Sequence, residues 1–151
     1  MLKCLDENNN KQFEKICEAA YRLLSLKGEA YAELVFAKPN EIQELNKNTR
    51  GKDSVTDVLS FGFLADPKLA FTKDNYRLDF CNENGVFLGS VVICQEKAIA
   101  QAREFGHDIK RETEYLLVHG LLHLLGYDHE CDNDKKIMRK LEESILQNAK
   151  Q

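Results

Sequence analysis

The chain has 151 residues, a net charge of −4, 43% hydrophobic and 30% charged residues, and only two prolines. That is the size of one domain, large enough to bury about two-thirds of its unfolded surface. With no internal repeat or low-complexity tract, it excludes a linker, a disordered arm and a solenoid, and its acidic balance excludes a binder that relies on a general basic excess to neutralise phosphates.

Residues 11–27 read as an amphipathic helix, with Phe13, Ile16, Cys17, Ala20, Leu23 and Leu24 recurring at helical spacing and Gly28 closing it. Glu29 to Ala37 reads as a strand, broken by Pro39. Asn40 is the expected N-cap of a short helix from Glu41 to about Asn48, with Gln43 reaching back to the cap. A loop follows, carrying Lys47, Arg50 and Lys52 beside Gly51 and running into a strand over 58–64. As a plain loop it would be a solvated turn.

Residues 65–85 are polar and irregular, with Asn84-Gly85 a turn signal, and are expected to form a loop or hairpin beside a cleft. Val86 to Gln95 reads as a largely buried strand, and Glu96 to Phe105 as a helix ended by Gly106. His107 stands alone in a polar turn and is read as exposed and without function. After a helix over 109–125, the last element is an amphipathic helix from Asp134 to Gln147, with Ile137, Met138, Leu141, Ile145 and Leu146 apolar.

The helix over 109–125 and the turn after it hold three of the four histidines. His119 and His123 lie one turn apart on one face, within about 6 Å along the axis, a span that one divalent ion can bridge. Gly126 permits the left-handed turn that could bring His129 round as a third ligand. Three imidazoles suit zinc, and three protein ligands leave a fourth position for water, the arrangement of a catalytic site. Two histidines at this spacing are more often packing or solvent-facing residues; the third, just past a helix-ending glycine, favours metal. The pattern matches the metzincin peptidases in every histidine and in the glycine, but Gly120 stands where those enzymes carry their general-base glutamate.

The run His119-Gly120-x-Leu122-His123-Leu124-x-Gly126-Tyr127-Asp128-His129 resembles the signature of the YbeY endoribonuclease family. Leu45-Asn46-x-x-x-Arg50-x-x-Asp53-x-x-Thr56-Asp57-Val58-Leu59-Ser60-Phe61 is similar to that family's other recurrent motif. The resemblance covers nearly the whole chain. It implies a zinc-dependent, single-strand-specific endoribonuclease acting in ribosomal RNA maturation (3′ end processing of 16S rRNA) and ribosome quality control. It makes His119, His123 and His129 the metal ligands and Arg50 the catalytic cation, whose guanidinium could hold a phosphate oxygen by paired hydrogen bonds. Single-stranded RNA and the ribosome or its proteins are the implied partners, with neither DNA nor membrane among them.

The chain departs from this pattern at Gly89-Ser90-Val91, where relatives carry Gly-Asp-Ile, so a carboxylate that could support a ligand histidine is missing. Gly62 in place of a proline is a milder departure. No residue is an obvious general base: Asp128 either orients a ligand or, more ordinarily, caps the turn, and the 2′-hydroxyl of the RNA is an alternative nucleophile. Cys131 is read as a bystander thiol rather than a ligand. Two other readings stay open, a metallopeptidase-like zinc hydrolase and a non-catalytic ribosome-assembly factor with a structural metal.

The N-terminal stretch turns polar too early for a signal peptide, and the most apolar run, 115–127, falls short of the roughly 20 residues that span a bilayer. Cys4, Cys17, Cys81, Cys94 and Cys131 are odd in number and scattered, which fits free thiols in a reducing cytoplasm. The expected architecture is a single α+β domain over 1–151. It has one small mixed sheet of about four strands, the fourth supplied from 65–85, covered by five or six helices. The metal ligands sit on a central helix and the turn after it.

Overall fold

In a computed structural model that describes residues 1–128 and 130–150, the sheet is built around β5 (Gly85–Cys94). The run Val-Phe-Leu-Gly-Ser-Val-Val-Ile-Cys is apolar on both sides, as a strand covered on two faces must be. β2 (Ala30–Ala37) pairs with it in parallel and β1 (Leu2–Leu5) pairs in parallel with β2, while β3 (Val58–Gly62) lies antiparallel on its other edge. β4 (Cys81–Asn82) pairs with the start of β5 as a hairpin. Among the described residues the sheet therefore has five strands; the 65–85 segment does supply one, but only two residues long. β1 was not anticipated. Its Leu2, Cys4 and Leu5 are buried, Leu2 and Cys4 in the core that holds Ile16 and Cys17, and four residues alone cannot signal the pairing with β2.

Five α-helices cover this sheet among the described residues. On one face, α1 (Glu14–Leu23), α4 (Ile109–Leu124) and α5 (Asp132–Ala149) share a core with Ala98 of α3 (Gln95–Phe105) and with Leu34, Leu88, Val91 and Ile93 of the sheet. On the other face α2 (Pro39–Arg50) places Ile42 against Leu59, Val92 and Cys94. Leu116, Leu117, Leu121, Leu122, Leu124 and Leu125 are all buried in the first core. Each contributes about 1.5–3 kcal/mol by leaving water, so α4 is held firmly in place.

Several boundaries differ from the sequence reading. α1 starts three residues late, because Lys11 bridges to Leu5, and it ends at Leu23, with Ser25 in a left-handed conformation. Gly28 does not close it. It lies in a bridge to Phe71, whose carbonyl oxygen would be 2.3 Å from any Cβ there. Pro39 opens α2 instead of merely ending β2: its fixed φ suits the first helical position, and the Glu41 carboxylate accepts the Lys38 N–H at 2.9 Å. Asn40 is thus inside the helix and Gln43 donates to Asp53 at 3.0 Å rather than to a cap. α2 also runs on to Arg50, with Gly51 as its left-handed C-cap, so the cations expected on a loop sit on its last turn and just beyond.

Candidate metal centre

α4 approaches the sheet closely because residue 120 has no side chain. A Cβ on Gly120 would lie 2.6 Å from Val91 Cγ1, inside any real contact distance. The glycine that replaces the peptidase glutamate is therefore a packing residue pressed against β5, and it leaves no room for a base at that position. Asp108 caps the helix start by accepting the Arg111 N–H at 2.7 Å. At the other end, Tyr127 N–H reaches the Leu122 carbonyl and Gly126 N–H that of His123, both at 3.0 Å. With Gly126 at φ +89° this is a Schellman turn, as its glycine implied. The loop after β3 is tied to the same end by Ala65 N–H on the Leu124 carbonyl at 2.9 Å.

On the cleft side of α4 the imidazoles of His119 and His123 converge, with their Nε2 atoms 3.2 Å apart and ring planes at 76°. A tetrahedral zinc ion with nitrogens at about 2.0–2.1 Å holds two of them about 3.3 Å apart, so the spacing fits one shared ion. Beneath His119, Nδ1 lies 2.8 Å from Oε2 of Glu142 on α5, a carboxylate only 4% exposed. With the proton on Nδ1 donated to that carboxylate, the lone pair on Nε2 points to where His123 also points, the arrangement by which a carboxylate fixes a ligating imidazole. The expected third ligand, His129, lies outside the described residues; among those described, no group of three or more His, Cys, Asp or Glu converges as a metal site.

The histidines open onto a cleft of about 510 Å³ whose walls include Arg50, Asp57, Ser60, Asp128 and Glu130. Arg50 reaches it from the end of α2, donating from Nη2 to the Ser60 carbonyl at 3.2 Å. The segment between α2 and β3 is pinned from both sides. Asn46, buried in α2, donates to the Ser54 carbonyl at 3.0 Å, and Asp57 accepts from Val58 N–H at 2.8 Å and from Gln101 of α3 at 3.2 Å.

Glu142 was missed by the sequence reading, although a signal existed. It falls on the stripe Met138, Glu142, Ile145 of an otherwise amphipathic helix, and a carboxylate on the buried face of a helix needs a partner. Ser90 does not stand in for the missing aspartate. A bulge shifts the register between Tyr31 and Ala32 of β2, so Val86 and Leu88 share the α4 core with Val91 and Ile93, while Ser90 turns to the opposite face and meets Glu33 at 3.4 Å. Cys131 caps α5, its Sγ accepting the Asp134 N–H at 3.5 Å. His107 is half-buried beside Phe105 rather than exposed.

A mixed sheet carrying a buried helix, two imidazoles converging from it and a carboxylate behind the first of them define the class: a small α+β protein with a histidine-lined cleft. Residues 2–150 match the family model described as Endoribonuclease YbeY. The curated Endoribonuclease YbeY of Clostridium kluyveri is 48% identical over 122 residues, covering 78% of this chain and 74% of that protein. That of Clostridium botulinum strain Eklund 17B is 42% identical over 147 residues, 93% of this chain and 87% of the relative. The solution structure of a Thermotoga maritima protein superposes with a TM-score of 0.60 at 26% identity, over 99% of this chain and 89% of that one. The chain belongs to the YbeY endoribonuclease family, hydrolases that act on RNA.

Proposed function

We propose that residues 1–151 form one metallo-endoribonuclease domain that cleaves single-stranded RNA in the cytoplasm, with ribosomal RNA as its substrate and the ribosome as its partner. The observation that carries this reading is the convergence of His119 and His123 Nε2 at 3.2 Å above a buried Glu142. Zinc is the ion best suited to these imidazoles, with His129 as the third ligand, and when bound it supplies Lewis acidity and a water acidified to near neutrality. No described helix is long and apolar enough to cross a membrane.

The chain's own residues account for the rest. Glu142 holds the Nδ1 proton of His119 and fixes the ring. Arg50 is anchored through one N–H on Ser60, and its guanidinium fork is the catalytic cation, taking the phosphoryl oxygens on which charge develops. Val91 against Gly120 fills the place a peptidase base would need, which disfavours peptide hydrolysis by the metzincin mechanism. The test is cleavage of a single-stranded RNA and of a peptide by the metal-loaded protein. RNA cleavage that disappears in His123→Ala and falls steeply in Arg50→Ala supports the reading; cleavage of peptide alone overturns it.

A further inference from the structure

The strand that forms one wall of the cleft does not end quietly. After Gly62, Phe63 and Leu64 project outward before the chain is tied down again by Ala65 on α4. Phe63 is 38% exposed and Leu64, in a left-handed conformation at φ +56°, is 67% exposed. The Phe63 ring stacks on Phe80 with centroids 5.1 Å apart and planes within 6°, Tyr76 tilts against it at 5.8 Å, and the Arg77 guanidinium lies 5.6 Å from the centre of Phe80. Leu78 beside them is 71% exposed. Gly62 and Leu64 both line the cleft that holds His119 and His123, so Phe63, between them in the chain, stands at the edge of that cleft.

We propose that this rim is a nucleobase-stacking platform, on which an unpaired base next to the phosphate in the cleft lies against Phe63 and Leu64. The proposal rests on the endoribonuclease reading and adds how the strand is gripped. Unpaired bases are held by aromatic faces and guanidinium planes, which accept any base because every base has a π-face. A chain with net charge −4 has no general basic excess to hold phosphates, so contacts that need no positive charge add to what a local cation such as Arg50 supplies. The rim's place beside the cleft favours a base over a protein surface as the occupant, the Arg77 guanidinium being already held by Asp79 through two hydrogen bonds of 3.1 Å.

The test is equilibrium binding of a fluorescein-labelled short oligoadenylate, with chelator present so that nothing is cut, against an abasic ribose-phosphate strand of the same length. Wild type is expected to prefer the oligoadenylate. Phe63→Ala should weaken oligoadenylate binding about fivefold to a hundredfold, the range that one lost stack carries, equally at low and high salt, and leave the abasic strand unaffected. Phe63→Trp should restore binding and Phe63→Leu should not; Leu64→Ser, at an exposed position that the fold does not need, should weaken it severalfold. Equal wild-type affinity for the two strands, full binding by Phe63→Leu, or self-association of wild type that Phe63→Ala abolishes would overturn the platform. A wild type that cuts RNA with metal yet ignores bases loses the platform and keeps the endoribonuclease reading. One that cuts no RNA at all loses both.

Discussion

His119 Nδ1 and Glu142 Oε2 are joined at 2.8 Å across 23 residues, from the middle of α4 to the middle of α5. The buried carboxylate sets which nitrogen of His119 carries the proton, and therefore which one can hold a cation. In Glu142→Gln the side chain keeps its shape and an acceptor but loses its charge. Zinc affinity, measured by competition with a chromophoric chelator, should fall about 10–100-fold, while the circular dichroism spectrum stays that of the wild type. Unchanged affinity would remove Glu142 from the site.

Gly120 supplies a second prediction, on stability. Gly120→Ala puts a methyl group 2.6 Å from Val91 Cγ1 and should destabilise the fold by about 1–3 kcal/mol, as overpacking does. The double variant Gly120→Ala/Val91→Ala should recover part of that loss in urea unfolding, because the clash is with that one side chain. Additive effects would mean that the glycine is needed for another reason.

Gly126 holds φ +89° with the Ala65 carbonyl 3.0 Å from where a Cβ would sit. Gly126→Ala should cost about 1–2 kcal/mol for the left-handed backbone, and it should loosen both the turn after α4 and the loop after β3 that bonds to it. Hydrogen exchange at Ala65 and Tyr127 is the readout; protection equal to wild type would contradict the coupling.

Burial raises the pKa of Glu112 above the ordinary carboxylate value, an effect that the nearby His107 opposes. The folded chain therefore holds a proton that the unfolded chain has already released. Stability should decline as pH rises from the unfolded carboxylate value, about 4.3, through the higher folded one. Glu112→Gln should flatten that part of the stability profile. A slope unaffected by the substitution would assign it to another group.

Burial also pushes the Cys4 thiol up to about 12, and Cys17 higher still. Timed alkylation followed by mass spectrometry should modify the exposed Cys131 first and leave Cys4, Cys17 and the buried Cys94 for global unfolding. Early labelling of Cys4 would show that β1 opens locally.

How much of this was legible in the sequence depends on how far each interaction reaches along the chain. The four-residue spacing of His119 and His123 is a local property of a helix, and it brought their nitrogens together as expected. Gly106 and Gly126 ended their helices through backbone conformation alone, as read, whereas Gly51, read as part of a loop, caps a longer α2 and Gly28 does not close α1. What escaped is tertiary. β1 is a strand because of β2, Glu142 matters because of a residue on another helix, and Ser90 faces away because a bulge upstream inverts the alternation of β5. Arg50 was singled out by resemblance, but its seat at the end of a helix, aimed by the Ser60 carbonyl, needed coordinates.

Because the carboxylate behind His119 comes from α5, the reactive centre cannot be completed by the segment that bears the histidines. During synthesis α4 leaves the ribosome before residues 132–149, and until those residues dock, His119 lacks the acceptor that orients it. A chain cut short before α5 therefore keeps both histidines of α4 and loses the carboxylate that holds the first of them.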